Sequence, residues 1–109
     1  MTIDDIRRAN AASGFHFFDA AALRFFRSRI CRTVYGRPDG RAFFVTSERV
    51  PHNYSPRSYT VRVFDSSTGS VGTWSEFQKF STRACALGAA YRAAYAVAFP
   101  GPEEGGRNA

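Results

Sequence analysis

The segment Ser58-Tyr59-Thr60-Val61-Arg62-Val63-Phe64-Asp65 constrains the fold most. It is rich in β-branched and aromatic residues and contains no proline or glycine, which suits a pleated strand. Side chains alternate across a strand. Tyr59, Val61 and Val63 therefore share one face, and Thr60, Arg62 and Phe64 share the other. Arg41-Ala42-Phe43-Phe44-Val45-Thr46-Ser47-Glu48 has the same character. Before it stands Ile30-Cys31-Arg32-Thr33-Val34-Tyr35, then Gly36-Arg37-Pro38-Asp39-Gly40, whose Pro-Asp-Gly run is a turn signal. These segments predict a hairpin of residues 30–35 with 41–48. Ser66-Ser67-Thr68-Gly69 predicts a turn into a fourth strand from Ser70 to about Phe80, with Trp74 and Phe77 on opposite faces and Gly72 marking a bulge or a close approach.

Helices flank this β region. Residues 2–13 carry Thr2 as N-cap, Asp5 in a capping-box position and an apolar stripe of Ile3, Ile6 and Ala9 or Asn10. Gly14 supplies the left-handed stop. Asp19 can cap a second helix from Ala20 to about Ser28, with Phe18 and Leu23 as a hydrophobic staple and Leu23, Phe26 and Ile30 turned inward. Ser81 or Thr82 caps a last helix over residues 82–98, with an inward stripe of Ala84, Leu87, Tyr91, Ala94 and Ala98. Tyr91 and Tyr95 read as core or subunit interface. The expected architecture is α+β, a single domain over residues 1–99 in the order ααββββα, with an antiparallel four-stranded sheet packed against helices. Residues 100–109, rich in proline, glycine and glutamate, predict a flexible C-terminal tail.

The sheet leaves two arrangements open. One face packs on helices. The other either stays partly open, exposing some of Thr60, Arg62, Phe64, Phe44, Arg41 and Trp74, or fills a second small core under the first helix. An open face mixing arginines with aromatics would suit nucleic acid or a protein partner.

Charge points the same way. The chain has 109 residues and a net charge of +6. Nine arginines lie between Arg24 and Arg62, opposed by only Asp39 and Glu48. Such a concentrated field favours an anionic partner, although a solvated basic face has the same composition. The loop 49–57 adds His52 and Tyr54 to Arg49 and Arg57 on an irregular, proline-containing segment. The candidate binding residues are therefore Arg32, Arg41, Arg49, Tyr54, Arg57, Arg62 and Trp74.

Several chemistries find no support. The histidines are His16 and His52, the cysteines Cys31 and Cys85, and no two of these have the close spacing that pre-positions zinc ligands. No phosphate-binding glycine loop and no nucleophile elbow occurs. His16 and Asp19 can touch, which a helix cap explains as well as catalysis does. The expectation is a non-enzymatic protein without cofactor or metal. The cysteines read as buried small apolar residues, and the N-terminus lacks the pattern of a signal peptide. A cytoplasmic protein follows as the expectation, with no membrane association.

The order Gly14-Phe15-His16-Phe17-Phe18, Leu23-Arg24-Phe25-Phe26-Arg27-Ser28-Arg29-Ile30, Ala42 to Glu48, Tyr59 to Asp65 and Glu76-Phe77-Gln78-Lys79-Phe80 resembles a group of small uncharacterised accessory proteins of phages, plasmids and other mobile elements. The likeness spans roughly residues 1–80; the alanine-rich helix and the tail depart from it. The resemblance implies a host-cell setting and a role in binding and modulating a host nucleic-acid-processing defence system, of the anti-CRISPR or anti-restriction type. The partner would be a host protein or a protein–nucleic-acid complex. Direct DNA or RNA binding is the alternative, and the protein would act as a monomer or homodimer.

Overall fold

In a computed structural model, residues 1–52 and 54–95 are described. Asn53, the last turn of the expected final helix with Ala98, and the expected tail lie outside the described residues. The elements are α1 (Ile3–Ala12), α2 (Ala20–Phe25), β1 (Arg29–Ile30), β2 (Tyr35–Gly36), β3 (Arg41–Glu48), β4 (Ser58–Asp65), β5 (Ser70–Thr73) and α3 (Arg83–Tyr95). This is an α+β fold with an antiparallel sheet.

β3 and β4 pair along their whole lengths, from Arg41 opposite Asp65 to Glu48 opposite Ser58. β5 lies on the far side of β4. The strand expected over residues 30–35 is interrupted. β1 and β2 both pair with β3, Ile30 opposite Thr46 and Tyr35 opposite Phe43, so the sheet has five strands in four positions. The Pro38-Asp39-Gly40 turn forms as expected: Arg37 N donates to Arg41 O at 2.8 Å, and Gly40 takes φ 93°. The fourth strand is shorter than expected, ending at Thr73, although Phe80 returns to bridge Tyr59. Gly72 stays in register opposite Val63 without a bulge.

Both faces of the sheet are covered. On one, Phe43, Val45 and Val61 pack under Ala86, Ala90 and Ala94 of α3. On the other, Ala42, Phe44 and Phe64 pack with Ile3 and Ile6 of α1 and with Phe17, Phe18, Ile30 and Val34. The second core therefore forms, and among the described residues it leaves that face open only at a pocket beside Arg62 and Thr73. Phe44 and Phe64 are buried because residues 1–18 fold back over them, and Thr60 is buried with Glu48 and Gln78. Each fully buried phenylalanine contributes roughly 2 kcal/mol of transfer free energy, which outweighs exposing that face.

The helices show where pattern reading succeeds and slips. α1 has the expected capping box, with Thr2 Oγ1 accepting from Asp5 N at 3.2 Å and Asp5 Oδ2 accepting from Thr2 N at 2.9 Å. Ile3, Ile6 and Asn10 are its buried residues. Asn10 Nδ2 donates to the carbonyl of Gly69 at 2.9 Å, tying the helix to the β4–β5 turn. Gly69 has φ 77°, and a Cβ there would collide with Ser13, so this contact needs glycine. α2 is short and has no fully buried residue. Leu23 is only half-buried and Phe26 is exposed at the C-cap, so the expected inward stripe is loose. Asp19 caps without a side-chain bond to the helix and instead meets His16 Nδ1 at 2.9 Å.

In α3 the buried row is Ala86, Ala90 and Ala94, rotated from the expected stripe. Ala84 and Tyr91 are exposed. A row of methyl groups at intervals of four lets the helix lie close on the sheet, and tyrosine would hold it away. Cys31 is half-buried and Cys85 exposed, both as free thiols, which corrects the expectation that both are buried.

Candidate functional site

The arginines separate into two environments at opposite ends of the sheet. At the end where β3 starts and β4 finishes, Asp39 holds Arg37 Nε at 3.1 Å and Arg41 NH2 at 3.1 Å. Asp65, which Arg41 also acts on, adds a second carboxylate beside these two cations. At the other end β1 begins, β3 finishes and β4 begins, with Arg29 opposite Ser47 and Glu48 opposite Ser58. Here Arg29 and Arg49 lie close enough to act on Arg57, and the main-chain carbonyl of Arg27 joins them. Arg57 is the brace: its NH1 donates to Ser47 Oγ at 2.8 Å and Ser47 O at 3.1 Å, and its NH2 to Arg27 O at 2.8 Å. Arg49 N donates to Phe26 O at 3.3 Å, joining the cluster to the end of α2. Burial, and then the nearby charges of Arg29 and Arg49, push the Arg57 guanidinium below its usual range. Guanidinium stays charged regardless, so the shift reflects burial first and the neighbouring cations second, with Tyr59 and Glu48 acting in the opposite sense.

The carboxylate nearest this cluster in sequence is withdrawn from it. Glu48 is fully buried. Its oxygens accept from Thr46 Oγ1, from Thr60 Oγ1 at 2.9 Å and from Arg62 NH2 at 3.1 Å. Arg62 Nε also donates to Thr46 Oγ1 at 2.9 Å, and NH1 donates to Thr73 Oγ1. Gln78, at φ 58°, closes the network through its backbone N to Thr60 Oγ1 at 2.8 Å and its side chain to Glu48 O at 3.2 Å. Thr46, Glu48, Thr60 and Arg62 lie on one face of β3 and β4, so the alternation of the strands assembles the network.

Arg62 also lines an open pocket of about 370 Å³, together with Phe17, Ala22, Leu23, Phe26, Ser28, Val71, Thr73 and Phe77. Its guanidinium lies 5.3 Å from the Phe17 ring centre and 5.6 Å from that of Phe77. Phe25, Phe26 and Phe77 form an exposed aromatic lip, with ring centres 4.8 Å apart for Phe25 and Phe26 and 5.4 Å for Phe26 and Phe77.

The residues singled out from the sequence thus scatter. Arg49 and Arg57 meet at the basic end. Tyr54, 92% exposed, stands on the loop between them. Its N donates to His52 Nδ1 at 3.1 Å. Arg62 is a core residue rather than a surface contact, because the second core covers its face. Arg41 and Trp74 lie together on the α3 side, the guanidinium 5.9 Å from the indole, which itself packs edge-on over Phe43. Arg32 is exposed and pairs with Asp4 at 3.3 Å. Sequence reading missed Phe25, Phe26 and Phe77 as an exposed group and Arg27 and Arg29 as members of the cluster. The signal available was the Phe-Phe-Arg-Ser-Arg run at 25–29, whose aromatics read as core.

Among the described residues no group of three or more histidine, cysteine, aspartate or glutamate side chains could hold a metal ion. Among the same residues no helix is long and apolar enough to cross a membrane.

No curated protein and no solved structure matches this chain. One family model does, over residues 2–90, which takes in α1, α2, the whole sheet and most of α3. The chain belongs to the DUF7447 family, a family of unknown function.

Proposed function

We propose that this protein acts by binding rather than by catalysis, and that its basic end grips the phosphate backbone of a nucleic acid. The observation that carries this reading is the placing of Arg29 and Arg49 beside Arg57 where three strands meet, with Glu48, the strand carboxylate that also acts on Arg57, buried and paired to Arg62. Arg57, whose guanidinium is held by Ser47 and the Arg27 carbonyl, fixes the strand end beside which Arg29 and Arg49 stand. The aromatic lip beside them adds stacking surfaces that nucleic-acid proteins use.

The test is binding of short labelled DNA and RNA across a salt series. Affinity should fall linearly with salt on a logarithmic plot, as counterion release requires. The double substitution Arg29→Glu with Arg49→Glu should lower the slope by about two, one per lost phosphate contact. Affinity no tighter than about 10⁻⁴ M at physiological salt would overturn the reading.

A second reading rests on the resemblance to mobile-element proteins and on the tyrosines of α3. Tyr91 and Tyr95 are half-exposed, with ring centres 4.7 Å apart, and Tyr35 packs edge-on against both. Such rigid aromatics favour protein contacts. In this reading the protein works in the host cytoplasm and modulates a nucleic-acid-processing defence complex through that face. Unchanged plaquing and plasmid transfer in defended hosts would dismiss it.

A further inference from the structure

An edge strand of an antiparallel sheet turns the hydrogen-bonding groups of alternate residues away from its neighbour. β5 is such a strand, the last in the order β1-β3-β4-β5. Trp74 N donates to Val61 O at 2.8 Å, and Gly72 stands opposite Val63 in the same register. Alternation from Trp74 turns the N–H and C=O of Gly72 and Ser70 toward β4. Those of Val71 and Thr73 therefore point outward. Among the described residues no strand takes up these two donors and two acceptors.

Edge strands commonly carry a guard, such as a charge, a proline or a bulge. Ser70-Val71-Gly72-Thr73 has no charge and no proline, and it pairs with β4 in unbroken register. Regular pairing ends only beyond Thr73, where Trp74 N and Ser75 N both donate to Val61 O. Gly72 and Thr73 are exposed, and so is the Trp74 indole.

The spacing of the outward groups makes this edge complementary to itself. A two-fold axis at Gly72 sets Val71 opposite Thr73 of the partner subunit, and Thr73 opposite Val71 of the partner subunit. Each pair exchanges two N–H···O=C bonds, so all four outward groups are used. Gly72 faces Gly72 of the partner subunit in the closer, non-hydrogen-bonded position. Charge also favours a second copy over an acidic strand. Asp65 stands opposite Ser70 at one end of β5, and Glu76 follows the other end. Arg41, over the Trp74 indole, is held by Asp39. Arg29, on β1, lies three strand spacings from β5, roughly 14 Å. Two chains of +6 can thus meet here with their basic ends apart.

We propose that two copies of this chain pair edge to edge through β5, antiparallel about Gly72, to form one sheet of eight strand positions. The inference stands apart from the nucleic-acid reading. Paired residues point to the same side of a sheet, so both α3 helices lie on one face. The two pockets lie on the other, each bordered by Val71 and Thr73 at the seam.

The test is sedimentation of the full chain, free of nucleic acid, from about 1 µM to about 1 mM, the span of weak affinities. One chain should pass to two across that range. Added salt should strengthen the association by screening the repulsion between the chains, whereas it weakens phosphate binding. A Cβ at Gly72 meets only Val63 Cγ1, at 3.8 Å, so a side chain fits there. Gly72→Lys and Gly72→Glu should each weaken dimerisation about fivefold, because like charges face across the seam. An equal mixture of the two should restore it. Val71→Pro removes an outward N–H, which an edge strand tolerates, and should abolish the dimer. Thermal melting checks folding, and if Val71→Pro fails to fold, the two Gly72 variants decide. A chain that stays single up to about 1 mM would overturn the proposal and leave the edge to a strand of another protein. A dimer that Gly72→Lys leaves at full strength would place the seam elsewhere, and a mixture that fails to associate would overturn the pairing about Gly72.

Discussion

Arg62 carries the most consequence of any single residue. It stands in the middle of β4, opposite Phe44 and Thr73, where a strand pattern would accept a valine. Its burial is tolerated because Glu48 supplies the countercharge and threonine hydroxyls complete the network. Removing one partner leaves an unpaired buried charge, while removing both leaves an apolar site. Arg62→Met should therefore cost about 3–5 kcal/mol in urea unfolding, and Glu48→Met combined with Arg62→Met should recover most of that loss. Single and double variants of equal stability would show that the pair is not coupled. Arginine's usual place on surfaces is why Arg62 reads as a contact residue from sequence. Its identity reveals only a long cation, and the paired carboxylate fourteen residues earlier becomes visible only once register is known.

At the scale of elements, legibility followed the strength of local signals. The capping box of α1, the Pro-Asp-Gly turn and the β3–β4 pairing were all readable, because each depends on residues close in sequence or on strict alternation. α2 was readable in its start and its Asp19 N-cap but not in its inward stripe, and the first strand position in its pairing with β3 but not in its interruption. In α2 the apolar residues border a pocket rather than a core, so periodicity has nothing to report. Between β1 and β2 the chain leaves the ladder at residues 31–34, though Cys31 N still reaches Val45 O at 2.9 Å. The rotation of α3 has a clear mechanical reason. Its Ala86, Ala90 and Ala94 face lies against Phe43, Val45 and Val61 with no room to spare. Ala90→Val should overpack this contact and cost about 1–3 kcal/mol, read as a lower melting temperature, whereas the same change at exposed Ala84 should be nearly silent.

For the whole molecule, electrostatics set the response to acid. Asp5, Asp39 and Asp65 all lie below the ordinary aspartate value of 3.8. For Asp5 the main cause is the hydrogen bond from the Thr2 backbone, and for Asp65 the one from the Ser67 side chain. Burial raises Asp39, and the bonds from the Arg41 backbone and side chain together with the charge of Arg37 more than offset it. A carboxylate lowered on folding stabilises the folded state above its unfolded value, and that contribution vanishes as pH falls through the folded value. The melting temperature should stay level from neutral pH to about pH 4 and drop below it. Protonation also strips the basic end of its distant counterbalance, since the chain already carries +6. Asn at positions 5, 39 and 65 together should flatten the drop. A triple variant with an unchanged acid profile would place the effect elsewhere.

By itself the sequence determined that this chain is an α+β domain built on two long antiparallel strands and strongly basic in its middle. Those properties follow from alternation, capping, turn chemistry and charge, all of which act locally or by simple summation. Which arginines become a surface was decided only by tertiary structure. Strand register withdrew Arg62 beside Glu48, Asp39 and Asp65 met Arg37 and Arg41, and the meeting of three strand ends brought Arg29 and Arg49 beside Arg57. The same packing left Phe26 and Phe77 at the mouth of a pocket. Burial and proximity between distant segments are properties of the closed fold, because they depend on which faces the chain covers when it returns on itself.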